Sequence, residues 1–139
     1  MLENDLYTLL STNLDMISAL DGNANNIWKG FVPKGQPTDP ALVFQVVYTQ
    51  DFIAAEGVLN GHRKRVQFDS YSATYTKTNQ VSDTVKRLVQ NLTGSLGTTV
   101  VQGSYPVKEM DLGLEQSSGG YVYRRLLQVD FLYHDIVIP

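Results

Sequence analysis

The run RKRVQFDSY, Arg63 to Tyr71, sets the fold, because from Arg65 to Asp69 its polar and apolar residues alternate. Val66 and Phe68 fall on one side and Arg65, Gln67, Asp69 and Tyr71 on the other, which is the period of a strand with one face turned to a core. Sixty-one positions later RRLLQVDFL, Arg124 to Leu132, repeats Arg, Gln and Asp at the same offsets. There Leu127, Val129, Phe131 and Tyr133 alternate with Arg124, Leu126, Gln128, Asp130 and Leu132. Three identities in nine positions, with no echo outside, read as two strands of one sheet sharing a face pattern rather than as a duplication. A face that mixes Arg, Gln, Asp and aromatic residues has the composition of a wet protein interface.

Outward from these strands, Leu2, Leu6, Leu9, Leu10, Met16, Ile17 and Leu20 recur at helical spacing. Glu3 and Asp5 stand where the helix dipole favours acids, and Asp21 and Gly22 supply a stop, so a helix is expected over about residues 2–20. Prolines and glycines break the segment 27–40 into a connector with room for a short strand at Ile27 to Phe31. Trp28, a large apolar surface, is expected to anchor in the core. ALVFQVVYTQ, 41–50, is β-branched and aromatic on both faces, the composition of a central strand. The stretch 51–62 is too long for a tight turn and reads as a contact-bearing loop. After Tyr71, Thr78 or Asn79 is placed to cap a second helix whose Val81, Val85, Leu88, Val89 and Leu92 share a face until Gly94 ends it. SYPVKEMDLGLE reads as a strand and QSSGGY as a turn. The expected fold class is α+β: a single domain, residues 1–139, with an antiparallel or mixed β-sheet packed by two α-helices.

A chain of 139 residues buries a sizeable core without cross-links. With no cysteine, disulfides, thiolate metal clusters and cysteine nucleophiles are excluded. No basic leader opens the chain and no apolar run approaches the roughly 20 residues that cross a bilayer, so a soluble protein without a membrane partner is expected. A formal charge of -3, with acids and bases interspersed, disfavours tight non-specific phosphate binding.

Three chemistries compete with an interface. His62, His134, Asp69 and Asp130 contain enough ligands for a metal or an acid/base site, but no His-x-x-x-His or His-Glu pairing places two ligands on one element. The serines lack a nucleophile elbow, and LTGSLG and SSGG lack the Walker and Rossmann spacings. His62, Arg63, Lys64 and Arg65, together with Tyr71, Tyr75, Tyr123, Arg124 and Arg125, could form a single-strand nucleic-acid platform, against which the overall acidity speaks. The expectation is no catalytic residue, no metal and no cofactor.

Taken in order, the N-terminal helix, VPKGQPTDPALVFQVVY, RKRVQFDSYSATY, TNQVSDTVKRLVQNL and YRRLLQVDFLYH resemble the tail-completion, or tail-terminator, proteins of long-tailed bacteriophages and related particles. The resemblance spans nearly the whole chain. It rests on Arg65, Gln67, Asp69 and Tyr71 in the first strand, Thr76 in the turn, and Tyr123, Arg124, Asp130 and Phe131 in the closing strand. It implies a structural virion protein, assembled in the host cytoplasm, that forms a ring, typically hexameric, at the head-proximal end of the tail tube. Its implied partners are other copies of itself, the tail tube protein and the head connector, with DNA passing through the lumen without specific binding. Arg63, Arg65, Gln67, Asp69, Tyr71, Arg124, Gln128 and Asp130 are the expected interface residues. Asp51 with Glu56, or Glu109 with Asp111 and Glu115, are the expected acidic lining of the lumen. The alternatives are a head-completion or neck protein of the same junction, a monomeric nucleic-acid-binding module, and an enzyme using Asp69 and Asp130 with a histidine.

Overall fold

A computed structural model describes residues 1–30, 40–54, 57–117 and 120–135. The expected first helix is two: α1, Leu2–Thr12, and α2, Leu14–Ala19. Asn13 divides them. Its backbone is extended, at φ -79° and ψ 128°, and its side-chain oxygen accepts from the amides of Asp15 and Met16 at 2.9 and 3.1 Å. An Asn that binds the amides ahead of it caps a new helix and ends the old one. The bend lets Leu2, Leu6 and Leu10 from α1 and Met16 and Ala19 from α2 enter one core.

A single 3₁₀ turn, Ala24–Asn26, leads into β1, Ile27–Lys29, which pairs in parallel with β2, Ala41–Ala54. Phe31, the end of the strand expected here, lies outside the described residues. β3, Gly57–Ser72, returns antiparallel to β2, and their ladder runs out to Ala54 opposite Gly57. The loop expected at 51–62 is therefore mostly paired strand. A ladder satisfies its own backbone amides and carbonyls whatever its side chains, so a strand can form there without the apolar alternation that would announce it.

α3 spans Tyr75–Val89. Its cap is Thr74, whose hydroxyl accepts from the Lys77 amide at 3.3 Å, and not Thr78 or Asn79. Thr78 lies inside the helix and donates its hydroxyl back to the Thr74 carbonyl at 2.9 Å. The helix also ends before Gly94: Asn91, at φ 54°, takes the left-handed position that turns the chain, and Gly94 opens β4, Gly94–Leu96. β5, Thr99–Ser117, and β6, Gly120–Asp135, form the second long hairpin, and the centre of the expected QSSGGY turn, 118–119, lies outside the described residues.

The six strands form one mixed sheet in the order β1-β2-β3-β6-β5-β4, with β3 and β6 in the middle. α1, α2 and α3 all contribute to a single core with Phe44, Phe68, Val66, Leu127, Val129 and Phe131, so three helices share one face of the sheet. The alternation read in β3 and β6 holds throughout their ladder. β5 departs from it: bulges at Gln102, Val107 and Leu112 break its register with β6, and Pro106 removes a donor between two of them. Trp28 is not a core residue. It pairs with Val43, on the face opposite the helices, and is half-buried.

Candidate functional site

The face of the sheet away from the helices carries all eight of the expected interface residues. Because β3 and β6 are antiparallel, their shared pattern meets itself head to tail, and Gln67 lies directly opposite Gln128. Gln128 Nε2 donates to Gln67 Oε1 at 3.0 Å, and Gln67 Nε2 donates to Asp69 Oδ2 at 3.0 Å. On one side of this pair, Asp130 accepts from Arg65 Nε at 2.7 Å and from Arg63 Nε at 3.1 Å. On the other, Asp69 accepts from Arg124 Nε at 3.3 Å. The result is a ladder with approximate two-fold symmetry: arginines and an aspartate, two glutamines, then an aspartate and an arginine. Tyr71 extends it beneath Arg124, whose guanidinium lies 5.7 Å from the ring centre, and Arg65 stands 5.9 Å from the ring of Tyr48.

Asp130 is 0% exposed and Asp69 4%, although among the described residues no helix covers this face. The arginine side chains bury them, laying apolar stems along the sheet and turning their charged ends to water. Burial works to raise the Asp130 pKa, but hydrogen bonds from Arg65 and Arg63, backed by their charges, hold it below the ordinary carboxylate value. The same bonds to Asp130 raise both guanidiniums, with burial pulling the other way in Arg65.

Residues absent from the sequence-based expectation join the ladder. Trp28 and Val43 flank it on the β1–β2 side, and Tyr48 is 49% exposed on the same face. From β5, Tyr105 lies opposite Asp130, Lys108 opposite Gln128 and Met110 opposite Leu126. Their parity along the strand is scrambled by the bulges, so no period-two reading could have assigned them to one face.

The basic cluster read as a nucleic-acid platform is divided between the two faces. Arg63, Arg65, Tyr71 and Arg124 lie on the bare face, whereas Lys64 pairs with Glu3 of α1 at 2.7 Å. Arg125 pairs with Asp111 at 2.6 Å, and Tyr75 stacks edge-on against Tyr123, 5.8 Å between centres, beside the start of α3. His62, 2.6 Å from Asp51, also faces away from the ladder. Every one of these cations has a carboxylate beside it, which lowers the field available to phosphates.

The acid/base reading meets the same geometry. Asp69 and Asp130 are separated by the glutamine pair and occupied by guanidiniums, and His62 and His134 lie on opposite faces. A hollow of about 480 Å³ on the helix side is lined by Glu3, Lys29, Phe44, Val46, Thr49 and Lys64 and includes neither aspartate. Among the described residues no group of three His, Asp or Glu could hold a metal ion. Of the expected lumen acids, Glu109 pairs with Lys86 at 3.0 Å and Asp111 accepts from Tyr75 and Arg125. Those bonds hold the Asp111 pKa below its usual value, the Tyr75 hydroxyl contributing most. Glu56 and the Glu115 side chain lie outside the described residues.

The fold has a counterpart. A chain from the virion of a native gene transfer agent (GTA) particle superposes with a TM-score of 0.71 over 95% of this chain and 94% of that one, at 13% sequence identity. The likeness at that identity is one of fold. No protein-family model and no curated protein matches the sequence. Among the described residues, no helix is long and apolar enough to cross a membrane.

Proposed function

We propose that this chain is a structural subunit of a phage-like virion, forming a ring, sixfold, at the head-proximal end of the tail tube, where it ends tube growth and meets the head connector. The observation that carries this reading is a fold shared over nearly the full length of both chains with a component of a virion particle. The bare face supports it from a different side. Tyr, Trp, Met and Arg are enriched where proteins dock, and this face exposes all four types beside a ladder whose charges are already satisfied. Such a ladder adds little affinity but penalises a wrongly placed partner, which suits a subunit that must choose its neighbours. The role needs no catalysis, and the DNA in the lumen would touch no sequence-reading element.

The deciding experiment is removal of the gene from cells that produce the particle, followed by electron microscopy of the products. Overlong tails without heads are the expected result. Tails of normal length without heads would reassign the chain to the neck, and normal particles would remove the reading altogether. In the purified protein, Arg65→Ala or Asp69→Ala should lower the ring population, seen as native mass, more than the unfolding midpoint. An unaltered ring with a lowered midpoint would contradict the assignment of this face to subunit contact.

A further inference from the structure

The buried side of α3 is mixed. Val81, Val85 and Val89 enter the apolar core, whereas Thr78 and Ser82 share a polar seam with Ser70 and Ser72 of β3, all four being 1% exposed. Two of these hydroxyls are accounted for: Thr78 donates to the Thr74 carbonyl at 2.9 Å, and Ser72 accepts from the Thr74 amide at 3.3 Å. Ser70 Oγ and Ser82 Oγ have no hydrogen-bond partner among the described residues, and neither has the buried Nε of Arg125.

The register brings these three atoms to one place. Ser70 stands directly opposite Arg125 in the β3–β6 ladder, a position that sets the two Cβ atoms about 4.5–5.5 Å apart. Arg125 Nη1 donates to Asn79 Oδ1 at 3.5 Å, and Ser82 lies three residues beyond Asn79, about one turn along the same side of α3. Because α3 packs on both β3 and β6, Ser82 comes down over the Ser70–Arg125 pair. A buried polar group left unpaired costs free energy, and three of them converging call for a shared partner.

We infer that Ser70 Oγ, Ser82 Oγ and Arg125 Nε bind one internal water molecule between α3 and the sheet. Nε can only donate, while each hydroxyl can donate or accept. The ligand must therefore accept from Nε and exchange bonds with two hydroxyls, which water does with its two donors and two lone pairs. A cation would face the guanidinium, and an anion would bury a second negative charge beside an arginine that Asp111 already pairs at 2.6 Å. Arg125 is 21% exposed and its outer nitrogens reach Asp111 and Glu109, so the same side chain closes the site toward solvent. The helix is thus held to the sheet by two means, packed valines and a bridging water, whatever role the chain has in a particle.

A high-resolution crystal structure of the purified protein is the direct test. The expected result is an ordered density peak within hydrogen-bond distance of all three atoms. Density showing Ser70 and Ser82 bonded to each other or to backbone carbonyls, with no peak between them, would overturn the inference. In solution, Ser70→Ala, Ser82→Ala and the double variant form a cycle read by thermal unfolding. Each change removes one oxygen and adds no bulk, so all three are expected to fold. Two hydroxyls that share one ligand are coupled, so the double variant should lose less of the unfolding midpoint than the two single losses summed. Additive losses would show that the hydroxyls act separately and would count against a shared water.

Discussion

Gln67 and Phe68 are neighbours in the chain and look in opposite directions. Phe68 is 1% exposed, stacked on Phe44 with ring centres 5.8 Å apart, under three helices. Gln67 lies on the face that no helix among the described residues touches, yet both ends of its amide are engaged, with Gln128 on one side and Asp69 on the other. One face is ordered by apolar volume and the other by hydrogen-bond geometry. Volume stabilises a fold strongly and discriminates weakly, since many apolar sets fill the same space. A polar ladder does the reverse, contributing modestly to stability while fixing which groups stand opposite which.

Unfolding measurements on paired substitutions would separate these roles. The largest loss belongs to the covered face: Phe68→Ala should cost about 3–5 kcal/mol in denaturant unfolding, the range for truncating a buried aromatic. A loss no greater than that of a bare-face substitution would break the contrast. Next is Asp130→Asn, which leaves Arg63 and Arg65 without their carboxylate and should cost on the order of 1–3 kcal/mol at neutral pH. The pH dependence gives an independent check. Asp130 has a folded pKa below its ordinary value of 3.8, so its contribution is present above that value and disappears as pH falls through the folded pKa. Wild type should therefore lose stability more steeply than Asp130→Asn below about pH 4, and parallel curves would show that the aspartate titrates alike in both states. Gln67→Ala should cost about 0.5–1.5 kcal/mol, the usual net worth of hydrogen bonds that water can replace. Smallest is Tyr105→Ser, expected within about 0.5 kcal/mol of wild type in unfolding. A larger change would mean that this tyrosine serves the fold rather than the face.

The central part of this design was legible in the sequence, because β3 and β6 keep strict alternation and each residue's parity states its face. Legibility failed wherever a local polar group or a bulge intervened. Asn13 looked like one more residue in an amphipathic helix until its side chain was seen to bind the amides ahead of it. Thr74 does not stand out as a cap in the sequence, because Thr78 and Asn79, nearer the apolar run, offer the same chemistry. The ladder beyond Asp51 reads as a loop in the sequence, since its residues show no period-two alternation. Tyr48, Tyr105, Lys108 and Met110 were missed for one shared reason: bulges at Val47 and Val107 shift parity by one, and parity was the only signal. The size of Trp28 points to the core, but its pairing with Val43 puts it on the other side.

The three bulges of β5 have a consequence for behaviour at high concentration. A strand can recruit another strand only by offering evenly spaced amides and carbonyls along its free edge. Gln102, Val107 and Leu112 interrupt that spacing, Pro106 withdraws an amide, and Lys108, Glu109 and Asp111 place charges in the path of an incoming strand. The longest strand of the sheet is thus a poor template for fibrils. Where many copies of the chain meet, an edge of this kind keeps them from joining into one continuous sheet.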